Sequence, residues 1–278
     1  MSLFCVIFFI FLTLDFSIGC NTNLCPIARK LQSEKPVTKP LSATCNNGKG
    51  EKIAIGIETI NICYGTSFTK KIIVCVKNTM PLQKTYWAKH KIEKEYKSCP
   101  EKASKPSWKT DNLQGDVDLF YKTIRNYEGE TYDKGHLAPR CDFNTEIDRS
   151  MTFFYINAAP QWSSFNKGIW RNLEQGVRDQ TTPDPPQYVI TGTVGSRNLN
   201  SSHNLINIPK YFYKIVLPEP VVYIGFNYNN TSEERLCQPL NFCKFLQVQN
   251  KKIYCCKLND DLMGKLGLEE KDLTKDLN

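Results

Sequence analysis

The 278-residue chain predicts an α+β fold with a mixed, mainly antiparallel sheet at its core. Three observations carry that expectation. Apolar and β-branched runs of strand length recur between residues 53 and 249, only two segments show helical spacing, and no repeat or low-complexity linker divides the chain. A content of 41% hydrophobic and 12% aromatic residues excludes a disordered or fibrous chain. A chain of this length buries roughly 70–75% of the surface it exposes when unfolded, so its 12 cysteines do not replace a core. They report on the compartment instead.

Residues 1–19 read as a secretory signal peptide. Val6 to Leu14 form an apolar run of h-region length, well short of the ~20 residues a membrane span requires. Ser17 and Gly19 supply small residues at both recognition positions for cleavage after Gly19, and no later segment is apolar enough to span a bilayer. Residues 20–51 are polar, contain cysteines and show no period, and they read as a disulfide-tied N-terminal segment ahead of one domain over 52–278. Strands are expected at Ile53–Ile57, Ile72–Val76, Tyr86–Ile92, Phe153–Asn157, Tyr188–Gly192, Tyr211–Leu217, Val221–Tyr228 and Lys244–Gln249. A helix is expected over Asn166–Asp179, where Trp170, Leu173 and Val177 fall at helical spacing, ending before the prolines Pro183, Pro185 and Pro186. A short C-terminal helix is expected over Asp260–Leu266.

Removal of the signal peptide leaves eleven cysteines, most of which are expected as disulfides in an oxidising compartment. None follows a zinc spacing. The odd one is a free thiol, an intermolecular bridge or a sign that Cys20 is trimmed as well. Asn200, Asn229 and Asn230 begin N-glycosylation sequons, which suit a secreted, extracellular protein.

Charge is uneven. The chain carries +8 overall, and residues 1–110 hold seventeen Lys and Arg against seven Asp and Glu, whereas residues 111–278 are slightly acidic. Lysines interleave with rings, as in Lys84–Lys91 and around Trp108. This suits phosphate contacts with stacking nearby, and the candidate partners are nucleic acid, anionic glycan or a membrane surface.

The chemistry concentrates at Asp133-Lys134-Gly135-His136, in a chain with 3 histidines. His90 and His203 lack such a context and read as structural. His136 is followed by an expected strand, Phe153–Asn157, a loop, Ala158–Gln161, and a helix opening near Phe165.

These residues resemble the DNA/RNA non-specific endonucleases of the ββα-metal class. The D-R-G-H box of that family corresponds to Asp133-Lys134-Gly135-His136, continued by Leu137, Ala138, Pro139, Asp142 and Phe143. Its N-x-x-P-Q motif corresponds to Asn157, Pro160 and Gln161, and its N-x-G-x-W-x-x-L-E motif to Asn166, Gly168, Trp170, Leu173 and Glu174. Looser similarity runs from Cys63 to Leu217. The resemblance implies a ββα-metal motif within the sheet core and hydrolysis of DNA and RNA with little sequence preference, leaving 5′-phosphate ends.

Phosphodiester hydrolysis requires a base to activate water and a cation to absorb the developing charge. His136 suits the base, because an unperturbed histidine titrates near pH ~6.5. By resemblance, Asn166 is the protein ligand of one Mg²⁺, with Mn²⁺ as a substitute. From the residues alone it could equally be a helix N-cap. Glu174 lies eight residues on, about 80° around an ideal helix, and by resemblance orders the water shell of the metal. Arg178 either pairs with Glu174 at i+4 or reaches the phosphate. Asn157 positions His136 or a water on the metal, or else simply closes a strand. Lys134, a substrate contact by resemblance, stands where the family has arginine and lacks its planar fork. Cys141 is expected in a disulfide rather than as a nucleophile. The competing expectation is a catalytically weak extracellular nucleic-acid-binding protein, a scavenger or decoy, on the same fold. No membrane partner is expected once the signal is removed.

Overall fold

The computed structural model describes residues 38–40, 52–53, 57–66, 71–80, 84–93, 106–109, 120–122, 124, 129–182, 187–197, 207–219, 221–229, 234–246 and 252–274, and for the first four of these spans the backbone alone. The expected signal peptide lies outside these residues. So does most of the 20–51 segment.

The strands in chain order are β1 (Thr38–Pro40), β2 (Lys52–Ile53), β3 (Ile57–Thr66), β4 (Lys71–Met80), β5 (Thr85–Lys91), β6 (Tyr132–His136), β7 (Ala158–Trp162), β8 (Tyr188–Val194), β9 (Tyr211–Leu217), β10 (Val221–Phe226) and β11 (Ile253–Lys257). Nine of them make one antiparallel sheet in the order β1-β3-β4-β5-β8-β9-β10-β11, with β2 on β3, while β6 and β7 pair separately. The helices are α1 (Glu146–Met151), α2 (Ser163–Phe165), α3 (Arg171–Gln180), α4 (Asp260–Leu266) and α5 (Glu270–Thr274). The architecture is α+β, as the sequence predicts.

Both faces of the central sheet are covered, so β9 is buried almost throughout and its alternate side chains serve two cores. Phe212 and Val216 face a cluster with Ala88, Val189, Tyr223, Phe165, Trp170, Leu173 and Val177, which seats the helical segment after β7. Tyr213 and Ile215 face the opposite cluster, which Leu262, Leu266 and Leu268 close from the C-terminal helices. The adjacent cysteines Cys255 and Cys256 divide in the same way, because successive strand residues point to opposite faces. Cys255 bonds Cys243 on one side and Cys256 bonds Cys237 on the other. Cys141 is also disulfide-bonded.

The β6–β7 pair is riveted to the sheet by polar side chains. Asn227, fully buried after β10, accepts from Trp162 N–H at 2.7 Å and donates to the carbonyls of Pro160 and Pro209, both at 2.9 Å. Thr85 at the start of β5 donates to the carbonyl of Ala158 at 3.0 Å. These bonds satisfy backbone groups of β7 that no third strand among the described residues serves.

Four expectations need correction. Ile53 pairs with Ile57, so the chain reverses between them and the expected strand is instead split between β2 and β3, because β-branched alternation reads alike in one strand or in two arms of a hairpin. Phe153–Asn157 is a bridge and a 3₁₀ turn, and the expected loop Ala158–Gln161 is the strand. Phe153, Phe154 and Tyr155 are buried, and apart from short-range turn bonds to Ser150, Asn157 and Ala158 their backbone meets Lys109 in an isolated bridge, so their apolar run marks core and not strand. Lys244 and Phe245 form a turn whose apolar residues Phe245 and Leu246 are buried in the core, while residues 247–249 lie outside the description. The expected helix over 166–179 starts at Ser163 and passes through a π-turn, Asn166–Trp170, before α3. The C-terminal helix α4 has the expected bounds; Asn259 caps it by accepting from Leu262 N–H at 2.9 Å, and Gly267 ends it at a φ of 67°.

Gly225 in β10 marks the closest approach of this helical segment to the sheet, since a Cβ there would lie 2.5 Å from Phe165 Cζ. Gly225→Ala is expected to lower stability by about 1–3 kcal/mol, and Phe165→Leu in the same chain to recover part of that loss despite being destabilising alone. Urea unfolding of the two single variants and the double variant measures this, and strictly additive losses would contradict the packing described.

Candidate active site

The pairing of β6 with β7 puts Asp133 opposite Gln161, Lys134 opposite Pro160, Gly135 opposite Ala159 and His136 opposite Ala158. Glycine is required at 135, because a Cβ would lie 2.4 Å from Gln161 Oε1 and 2.5 Å from its Cβ. Gln161 is fully buried there, with no hydrogen-bond partner for either amide atom among the described residues.

Lys134 and His136 share one face of β6, by strand alternation. The His136 ring, half-buried, packs on Trp108 with centroids 4.6 Å apart and meets Phe153 edge-on at 4.8 Å. The Lys134 ammonium hydrogen-bonds the hydroxyl of Tyr155 and lies 4.6 Å over its ring, 5.7 Å from that of Tyr121 and 5.8 Å from that of Trp108. Aromatic faces thus hold this cation on the same side of the strand as the imidazole.

Asn157 is buried and directed at backbone. Its Oδ1 accepts from Ala138 N–H at 2.9 Å, its Nδ2 donates to the carbonyls of Ala138 at 3.0 Å and Thr152 at 2.9 Å, and its own carbonyl accepts from Leu137 N–H at 3.0 Å. Both amide protons are used. The residue clamps the two positions that follow His136.

Asn166 lies inside the helical segment and not at its N-cap. Its backbone is helical, at φ −58° and ψ −53°, and its Nδ2 donates to Asp133 Oδ2 at 3.0 Å. A carboxylate can only accept, so the orientation of the amide follows and Oδ1 is the end left for a ligand. Asp133 Oδ1 takes Lys167 at 3.0 Å. Two residues on, Gly168 breaks the helical path at φ −102° and ψ −112°, and such π-turns favour functional positions.

Glu174 and Arg178 lie one turn apart on α3 but are not each other's ion-pair partner. Arg178 Nη1 pairs with Asp142 Oδ1 at 2.8 Å and Nη2 donates to Gln175 at 3.1 Å. The other oxygen of Asp142 meets His90 Nε2 at 2.7 Å, deep under β5. Burial pushes the Glu174 carboxyl up to about 7, against the pull of Lys214 and Arg178. Burial opposes ionisation of Asp142 too, yet the hydrogen bond from His90, with His90 and Arg178 beside it, holds that carboxyl below its usual value. Desolvation depresses both His90 and Lys214. His90 is therefore a neutral imidazole whose Nε2–H donates to the Asp142 carboxylate.

The predicted site residues thus fall in three clusters: Lys134 and His136 with the rings and with Asn157 clamping the segment that follows, Asn166 with Asp133, and Glu174 with Arg178 on α3. Asp133 joins the first strand to the helix at one end, and Asp142 joins the segment after His136 to the helix at the other. Asp133 and Asp142 belong to the sequence motif without an assigned role there, and His90 and Lys214 lie outside it. Two signals were available: a lysine in the apolar run Tyr211–Leu217, and a histidine on the apolar face of Ala88 and Ile92.

A family model described as DNA/RNA non-specific endonuclease matches residues 54–261. A salivary endonuclease of Lutzomyia longipalpis is 30% identical over 155 residues, covering 51% of this chain and 35% of that protein. A nuclease of Nostoc sp. is 34% identical over 112 residues, covering 38% of this chain and 40% of the relative. Salivary protein Tsal2A of Glossina morsitans morsitans is 24% identical over 254 residues, 78% of this chain and 58% of that protein. The chain spans roughly a third to three-fifths of the length of these relatives.

The position of Glu174 has a consequence for stability. Its folded value of about 7 lies above its ordinary 4.5, so the folded state keeps a proton that the unfolded state releases. Its contribution to stability is complete below pH 4.5 and disappears as pH rises through about 7. In metal-free protein the urea midpoint of the wild type, relative to Glu174→Gln, is expected to fall over that interval; a pH-independent difference would contradict this environment.

Proposed function

The chain belongs to the DNA/RNA non-specific endonuclease family, and we propose from that premise that it hydrolyses phosphodiester bonds of DNA and RNA with little sequence preference, using Mg²⁺ or, in its place, Mn²⁺. The observation that carries this reading is the Asp133–Asn166 hydrogen bond, which couples the His136 strand to the helix bearing the proposed metal ligand. The low specificity suits groups that address phosphate, which carries no base identity.

His136 is the general base, taking a proton from water on its neutral ring, which Trp108 and Phe153 hold in place. Asn157 acts through the backbone of Leu137 and Ala138 and so sets where that ring stands. Asn166 would hold the cation through Oδ1, its Nδ2 being committed to Asp133. The donor set fits a hard, well-hydrated ion. An amide oxygen with the Asp133 carboxylate hydrogen-bonded beside it suits magnesium, which prefers oxygen ligands and keeps much of its water. The bound ion supplies electrostatic stabilisation of charge developing at the phosphate and the leaving oxygen. Glu174, with a carboxyl near neutrality, can hold or release a proton at working pH. Arg178 offers its remaining guanidinium edge to the phosphate, and Lys134 fixes a positive charge beside the base.

Secretion is part of the proposal. The bridges Cys237–Cys256 and Cys243–Cys255 and the bonded Cys141 suit an oxidising compartment, and salivary relatives support the same reading. Among the described residues no helix is long and apolar enough to cross a membrane. Asn229 is exposed and available to a glycan.

The test is digestion of plasmid DNA and a long RNA by the wild type and His136→Ala, each with Mg²⁺ and with EDTA. Cleavage of both substrates by the wild type with Mg²⁺, lost in EDTA and reduced at least about 100-fold in the variant, is the expected outcome. Tight binding without cleavage would establish the scavenger reading instead.

A further inference from the structure

Arg178 is held by a chain of buried groups that reaches back to the central sheet. Its guanidinium has five N–H donors, of which one on Nη1 goes to Asp142 at 2.8 Å and one on Nη2 to Gln175, three residues earlier on α3, at 3.1 Å. Contacts in two directions fix the plane of the group and leave the other donors for an anion. Asp142 has each oxygen committed, one to Arg178 and one to His90 at 2.7 Å. His90 is wholly buried on β5, between β4 and β8, with its ring 5.4 Å from that of Phe143. The backbone of the Asp142 segment is also tied to β5, through Glu93 N–H to the Asp142 carbonyl at 2.9 Å.

Stability alone is a weak reason for such a chain. A buried ion pair seldom stabilises more than apolar packing of equal volume, whereas removal of one partner is costly. What the arrangement does supply is direction. Asp142 lies six residues beyond His136 and Arg178 four beyond Glu174, so the chain sets the segment leaving the base against the helix carrying the acid.

We propose that Asp142, locked by His90, is a positioning residue that aims the Arg178 guanidinium at the phosphate undergoing hydrolysis. This rests on the reading of the protein as a nuclease with Arg178 as a phosphate contact. Asp142 acts only through Arg178, which separates it from a residue that merely holds the fold together.

The experiment is a double-mutant cycle on Mg²⁺-dependent plasmid cleavage, with Asp142→Asn, Arg178→Lys and their combination, each measured alongside its melting temperature. Asp142→Asn is expected to lower kcat on the order of 10–100-fold, as misplacement of a reacting group does, and Arg178→Lys to lower it comparably although the charge is kept. In the Arg178→Lys background Asp142→Asn is expected to add less than about threefold, because the shared partner is already lost. In Arg178→Ala, guanidinium ion at sub-denaturing concentration is expected to restore part of kcat, and to restore none when Asp142→Asn is also present. Losses that multiply independently overturn the proposal, as does guanidinium rescue that ignores Asp142. If Asp142→Asn fails to fold, wild-type kcat in Arg178→Lys is sufficient to overturn it. A fully active Arg178→Ala, or a wild-type chain that cleaves nothing, would show that the underlying reading has failed, and the proposal with it.

Discussion

The hydrogen bond from Asn166 Nδ2 to Asp133 Oδ2 is the contact on which the account of the site depends. It joins a residue of the second strand-bearing segment's following helix to the strand that carries His136, across 33 residues of chain. It also decides which end of the Asn166 amide is available. Much of the surrounding structure serves that contact. Gly135 lets Gln161 pack tightly against β6, Asn227 and Thr85 tie β7 to the sheet, and the π-turn with Gly168 carries the chain from Asn166 into α3.

A second constraint is dielectric. Glu174, Arg178, Asp142, His90 and Lys214 lie on the face of the sheet against which the helical segment packs, where an unpaired charge would be costly. The arrangement resolves this by sharing. Asp142 is kept ionised by His90 and Arg178, His90 stays neutral, and the Glu174 carboxyl is left near neutrality. Carboxyls of one type, thirty-two residues apart in sequence, thereby acquire different behaviour, because one has two hydrogen-bonding partners and the other meets chiefly burial.

The legible parts of this molecule are those that local chemistry decides. β9 has the bounds expected from its continuous apolar run, and α4 those expected from its spacing, with Asn259 at its start. The motif residues Asp133 to His136, Asn157, Asn166 and Glu174 were visible because their types and spacing are unusual together. What stayed hidden is set by distant contacts. Ala158–Trp162 contains a proline and two alanines and looks like a loop, yet it is a strand because Gly135 and Gln161 interlock and Asn227 supplies its missing partners. Phe153–Tyr155 looks like a strand because buried rings and strand residues share a composition. Helical spacing points Arg178 at its neighbour Glu174, whereas its partner Asp142 is 36 positions away, and no sequence period reports such a pair.

The central claim is that Asn166, oriented by Asp133, holds the cation. Its most direct test is Mn²⁺ binding to the nucleic-acid-free protein, followed by the loss of the free-ion electron paramagnetic resonance signal, in the wild type, Asn166→Ala and Asp133→Asn. The expected result is one bound ion in the wild type, none in Asn166→Ala, and affinity weakened about 10–100-fold in Asp133→Asn, the usual cost of losing a group that orients a ligand. Unchanged binding in Asn166→Ala would place the metal elsewhere and contradict the account at its foundation.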